Sequence, residues 1–145
     1  MVLYSEGRAA YEAMLLAIAK ARRSIHLEIY QFESDGIGWR FARALMEKAR
    51  AGVAVRVVYD AVGSLFATAA MWVQLEAAGA EAHCYHPLAP WHPGWTWNRR
   101  DHRKILVVDG RIGFAGGMNI CDEHLPVEEG GGGWRDTHLR LEGPA

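Results

Sequence analysis

The sequence predicts an α/β domain built on a mixed β-sheet flanked by helices. Three observations lead there. Through residue 85, apolar residues at helical spacing alternate with short runs of strand periodicity. Residues 104–115 then form two apolar runs around Asp109-Gly110, a strong hairpin signal. Finally, 145 residues, half of them hydrophobic and 23% charged, make one domain with enough apolar surface for a core.

Tyr11, Met14, Leu15, Ile18 and Ala21 recur at helical spacing and predict a first helix from about Glu6 to Arg22. Ser5 is its expected N-cap, and Arg22-Arg23 suit its last turn. Ile25, Leu27 and Ile29 alternate with His26, Glu28 and Tyr30, which predicts a strand. Ser34-Asp35-Gly36 is a turn signal. Ile37, Phe41, Leu45 and Ala49 then share one face of a second helix that Gly52 ends. Val53 to Tyr59 is a β-branched strand stopping at Asp60. A third helix is expected from about Leu65 to Ala78, and a short strand from Glu81 to Tyr85. That helix carries Leu65, Phe66, Ala69, Trp72, Val73 and Leu75 on two apolar faces, more than one sheet face requires. Alternating strands and helices predict a mostly parallel sheet here, with helices on its faces and ligands at the carboxyl ends of the strands. Asp60 sits at one such end, and Tyr30 and Phe32 lie near another.

The pattern changes at His86. A loop with three prolines and three tryptophans runs to Asp101. Strands are expected at Lys104 to Asp109, Arg111 to Ala115 and Arg135 to Leu141, with a glycine-rich loop from Cys121 to Trp134. Gly143-Pro144 predicts the start of another helix, because proline suits a first helical turn. The sequence therefore reads as one half of a longer protein.

The formal net charge is -1, which speaks against a general nucleic-acid binder, so any basic site must be local. The two stretches free of charged residues, 61–75 and 82–98, are too short or too broken by proline to span a membrane. Glu6, Arg8 and Glu12 interrupt any signal-peptide pattern. The segment is expected to be soluble, cytoplasmic or peripheral at the cytoplasmic membrane. Two cysteines, Cys84 and Cys121, suit free thiols in a reducing compartment. Cys84, His86 and His92 match no zinc spacing and lack a fourth ligand, so no metal is assigned.

The chemistry concentrates in Asp101-His102-Arg103-Lys104-Ile105-Leu106-Val107-Val108-Asp109-Gly110 and the following Gly116-Gly117-Met118-Asn119. His102 and Lys104 are two apart, so on a strand they project to one face. An imidazole beside a fixed ammonium suits a phosphate ester: one attacks phosphorus while the other neutralises a non-bridging oxygen. Asn119 returns at the end of the hairpin and has an amide to donate to the same phosphate. The spacing His-x-Lys-x4-Asp, six residues, then Gly-Gly-x-Asn resembles the signature of the phospholipase D superfamily. The flanks Asn98 to Lys104, Trp134 to His138, Glu142 to Ala145, Ile29 to Phe32 and Gly52 to Arg56 are similar to cardiolipin synthases in particular.

The resemblance covers essentially the whole chain as a single phospholipase D-like domain, residues 1–145, the first half of a two-motif protein. It implies a phosphodiesterase or phosphatidyltransferase that acts on a phosphatidylglycerol-like lipid through a phosphohistidine. The motif residues His102, Lys104 and Asp109 form the catalytic set. Within it, His102 is nucleophile or partner acid/base, and Asp109 is a structural acid. Lys104, Asn119 and Gly117 line the phosphate site, where many relatives carry Ser in place of Gly117. Asp136 orients an imidazole, and no metal or other cofactor is required. Glu28 and Asp60 border the strand ends and are second-tier candidates, each with a simpler reading as an exposed or salt-bridged carboxylate.

No other histidine is followed two residues later by lysine. Nucleophile and general acid are separate roles in one step, so the second histidine must come from a C-terminal half or from a second copy in a homodimer. Trp91, His92, Trp95 and Trp97 beside Arg99, Arg100, Arg103 and Lys104 suit a lipid interface, stacked single-stranded bases, or packing against a further half. Two rival readings remain: a homodimeric nuclease of the same superfamily, and an inactive half-domain that needs its partner.

Overall fold

The computed structural model describes residues 1–143, so the helix start expected at Pro144 lies outside the described residues. Seven strands form one sheet: β1 (Val2–Tyr4), β2 (Ser24–Ile29), β3 (Ala54–Asp60), β4 (Glu81–Tyr85), β5 (Lys104–Val108), β6 (Ile112–Gly116) and β7 (His138–Glu142). Three helices, α1 (Gly7–Lys20), α2 (Gly36–Arg50) and α3 (Ala69–Ala77), connect its first part. The sheet order is β1-β7-β6-β5-β2-β3-β4. Only β2 with β3 and β3 with β4 pair in parallel, and the other four pairings are antiparallel. The sheet is thus mixed, and the expectation of a mostly parallel one holds only for its β2-β3-β4 side.

Strand alternation sets which face is covered. Ile25, Leu27, Ile29, Val55, Val57, Leu106, Val108 and Phe114 pack with Tyr11, Ile18, Phe41, Leu45, Met71 and Leu75 of the three helices in one core. The opposite face, with Glu28, Val58, Ile105, Val107 and Ala115, is only partly buried. Helices were expected on both faces; among the described residues they cover one.

Several boundaries differ from expectation for a common reason: side chains distant in sequence take the backbone groups a longer element would need. The first helix stops at Lys20 because the Asp109 carboxylate accepts the N–H groups of Arg22, Arg23 and Ser24 (2.9, 2.7 and 2.9 Å). Its N-cap is Glu6 rather than Ser5, with no side-chain bond. The third helix begins four residues late because Asp60 Oδ1 accepts from the N–H groups of Val62 and Gly63, winding residues 61–67 into turns. The last strand starts at His138, three residues later than expected, and the Gly117 N–H donates to the Thr137 carbonyl just ahead of it. β1 escaped sequence reading because three residues carry no periodicity; it forms by pairing with β7.

Helix α2 is held twice at its start. Asp35 accepts from the Gly38 N–H, and the Asp122 carboxylate accepts from Gly36 and Ile37. Asp122 in turn donates its own N–H to Asp35. This exchange ties the segment after β6 to the segment after β2, and main-chain bonds between Gln31–Glu33 and Ile120 continue it.

Candidate active site

The register gathers the motif at one sheet edge. Ile29 pairs with Lys104, Gly116 with His138, and Asp60 with Tyr85. The carboxyl ends of β2 and β3, the start of β5, the end of β6 and the start of β7 therefore lie side by side, where ligands sit in such sheets.

Lys104 opens β5 and is buried, 5% exposed. Its Nζ donates to the His102 carbonyl (3.1 Å) and lies 5.1 Å from the centroid of the Tyr30 ring. Burial pulls the ammonium below its ordinary pKa, and the charges of Asp136 and Asp101 oppose that fall. His102 stands two residues before the strand with its side chain exposed, its ring centroid 4.7 Å from that of Tyr30. Tyr30 thus borders both the imidazole and the ammonium. Sequence reading placed Tyr30 only near a strand end; its aromatic type at the β2 terminus was the available signal.

Behind His102 stands a buried support. Asp60 is 0% exposed, and its Oδ2 accepts from the Asp101 N–H (2.9 Å) while Oδ1 holds Val62 and Gly63. Of the two simpler readings for Asp60, the exposed one is corrected and the salt-bridged one holds: it is buried under the two loops leaving β3 and β4, accepts from main-chain donors and pairs with Arg100. The Arg100 guanidinium is 3.9 Å away, beside the Trp95–Trp97 pair at 5.7 and 5.9 Å from their ring centroids. Glu28 lies on the uncovered face and pairs with Arg103 (2.9 Å), a salt-bridged carboxylate.

Asp109 stands apart from the other residues of the catalytic set it was grouped with. It occupies the opposite end of β5, five residues from Lys104, about 16 Å along an extended strand. Burial pushes its carboxyl up, but the N–H groups of Ser24, Arg23 and Arg22 and the Arg23 charge outweigh this and hold it below the usual carboxylate range. Asp109 and Gly110 both have positive φ, which Asp and Gly tolerate in this turn.

Asn119 follows β6. Its Oδ1 accepts from the Gln31 N–H and its Nδ2 donates to Gln31 Oε1, both at 3.3 Å. Gly117 has a steric reason: a Cβ there would collide with the Asp136 carboxylate. The space a Ser side chain needs is filled by Asp136, whose carboxylate also accepts from the Thr137 N–H (2.6 Å). Two further histidines, not assigned from sequence, are buried here. His138 is 1% exposed with neither ring nitrogen hydrogen-bonded; burial pushes it down to about 4 against the pull of Asp136. His124 is also buried, and its Nε2 accepts from the Asn119 N–H (3.3 Å). Among the described residues, no three His, Cys, Asp or Glu side chains converge as a metal site requires. His86 instead stacks on Trp95 and bonds the Thr96 carbonyl, and both cysteines are free thiols.

A family model described as "Cardiolipin synthase, PLD-like domain" matches residues 14–127, most of the chain. The chain belongs to this phospholipase D-like family. It is 44% identical over 141 residues to the cardiolipin synthase of Geobacillus kaustophilus, covering 97% of this chain and 28% of that protein. It is 38% identical to the major cardiolipin synthase ClsA of Bacillus subtilis, over 97% of this chain and 29% of that protein. The chain therefore spans under a third of these relatives. In fold, it matches the phospholipase D family member Nuc from Salmonella typhimurium (TM-score 0.71, 18% identity, 99% of this chain and 82% of that one). Phosphatidylserine synthase of Haemophilus influenzae is as similar (TM-score 0.71, 17% identity, 98% and 33%). Of the residues singled out from the sequence, His102, Lys104, Asn119 and Asp136 stand at the carboxyl edge of the sheet, and Asp109 stands at the other.

Proposed function

We propose that this chain supplies one catalytic half of a phospholipase D-type phosphatidyltransferase acting on glycerophospholipids, with a phosphatidylglycerol-like substrate. The observation that carries the reading is the pairing of an exposed His102 with a buried Lys104 ammonium on the Tyr30 ring at the sheet edge. An imidazole nitrogen of His102 attacks phosphorus, the bond from phosphorus to the leaving oxygen breaks, and a second histidine protonates that oxygen. An alcohol, or water, then gives its proton to that second histidine and displaces His102 from phosphorus. Lys104 and the Asn119 amide hold the non-bridging oxygens as charge accumulates, and Asp136 orients an imidazole.

The second histidine belongs to the remainder of a longer chain or to a second copy. A membrane surface is the working environment. Leu65 and Phe66 in the loop after β3, and Trp91 and Trp97 in the loop after β4, are exposed around the same edge as His102. Arg99 and Arg103 are exposed among them, a combination suited to headgroup depth over anionic lipid. No helix among the described residues is long and apolar enough to cross a membrane.

The test is oligomeric state by light scattering, with phosphodiesterase activity measured in chelator on the same sample and on His102→Ala. A dimer with activity that vanishes in His102→Ala supports two copies rebuilding the paired site. An inactive monomer that gains activity with the remaining half of a relative supports the split site. Activity that survives in His102→Ala sinks the mechanism. Preference for DNA over phospholipid would favour the nuclease reading instead.

A further inference from the structure

Asn119 is more constrained than a surface loop residue needs to be. Its main-chain N–H donates to His124 Nε2 (3.3 Å), and its carbonyl accepts from the Tyr11 hydroxyl (2.6 Å). Its side-chain oxygen accepts the Gln31 N–H, and Nδ2 donates to Gln31 Oε1. Three elements supply these partners: α1, the segment after β2 and the turn at Asp122–His124. The direction of every bond is fixed. Gln31 Nε2 donates to Glu33 Oε1 (3.2 Å), so Oε1 is the atom turned toward Asn119. A main-chain N–H can only donate, so Asn119 must present Oδ1 to Gln31 and His124 must present a bare nitrogen to Asn119. One Nδ2 hydrogen of Asn119 is left without a protein partner.

We propose that Gln31, Tyr11 and His124 are the positioning residues of Asn119, and that His124 acts as a neutral imidazole carrying its proton on Nδ1. The proposal rests on the reading of Asn119 as a phosphate donor. It gives the buried ring a use, the Nε2 lone pair accepting from Asn119, and leaves the proton to Nδ1, the nitrogen with no partner within hydrogen-bond distance. Protonation of His124 would remove that lone pair and release the Asn119 main chain. The groups facing the ring are Asp136, Glu123 and the Trp134 main chain, which favour the cation, and Lys104 and His138, which oppose it. Burial outweighs the favourable ones and holds His124 below the ordinary histidine range, so the clamp is closed at neutral pH and opens on acidification.

Long-range proton–nitrogen NMR of the ¹⁵N-labelled chain reads the tautomer directly. The expected result is a protonated Nδ1 and a bare Nε2 on His124, with the Asn119 amide shift following the His124 titration. An Nε2-protonated ring overturns the role of His124. Inorganic sulfate, whose charge is constant across this pH range, is the oxyanion probe. Its affinity should fall as His124 protonates. His124→Gln, which keeps an acceptor, should bind sulfate at neutral pH but lose the acid limb. His124→Leu should weaken binding at every pH. Gln31→Leu should weaken it about tenfold, and unchanged affinity in a folded Gln31→Leu overturns the role of Gln31. If sulfate leaves the wild-type Asn119 side-chain amide unmoved while the tautomer is as stated, the phosphate-donor reading fails and takes the positioning role with it.

Discussion

Asp109→Asn separates a structural acid from a catalytic one. In the wild type, Oδ1 accepts from the Arg23 and Ser24 N–H groups (2.7 and 2.9 Å) and Oδ2 from Arg22 (2.9 Å). Asparagine tolerates the left-handed φ of 55° at this position, so the turn itself is preserved. The variant keeps one acceptor oxygen, turns an amide group toward the Arg22 N–H, and removes the charge from the remaining bonds. A hydrogen bond to a charged group contributes about 1.5–3 kcal/mol when shielded, and the partial exposure here discounts that to roughly 1–2 kcal/mol for the whole change. For a domain of this size the melting temperature should drop by about 3–8 °C. The folded-state pKa of Asp109 is depressed, so its stabilisation is present above the unfolded carboxylate value and is lost as pH falls through the folded one. Urea denaturation should therefore show the full gap between wild type and variant above about pH 5, closing below about pH 4. Sulfate affinity should be unchanged. A folded variant with wild-type stability and abolished sulfate binding would refute the placement of Asp109 outside the site.

Gly117→Ser should turn the exposed Asp136 carboxylate aside, and the loss of that negative charge should strengthen sulfate binding. Loss of that charge should also lower the Lys104 pKa further, which lysine side-chain NMR titration can read. Asp60→Ala leaves three main-chain donors of two loops unsatisfied and should cost about 3 kcal/mol in denaturant titrations. Paired Phe66→Ala and Trp91→Ala changes should leave the melting temperature unchanged and reduce retention on phosphatidylglycerol vesicles about tenfold in sedimentation assays. Equal retention of wild type and variant would remove these residues from the membrane surface.

Much of this was legible along the chain because it is local. Helical spacing through Tyr11, Met14 and Ile18, alternation through Ile25, Leu27 and Ile29, and Asp109-Gly110 between apolar runs each carry their element within a few residues. The His-x-Lys spacing and Gly-Gly-x-Asn did the same for the central site residues. Element ends were less legible, because their hydrogen-bond partners lie far away: Asp109 ends α1 from some 85 residues downstream.

The sequence by itself determined most of the elements, through periodicity, and carried the motif on which the family resemblance rests. Only the tertiary structure decided how they are grouped. It set Asp109, just past the end of β5, apart from Lys104 at its start, and it brought Gln31, Tyr11 and His124 onto Asn119 from three separate segments. It also buried Asp60 under two loops and gave the Gly117 side-chain space to Asp136. The physical reason is that burial and hydrogen-bond direction are properties of neighbours in space. Sheet register fixes those neighbours, and no window of the chain contains the register.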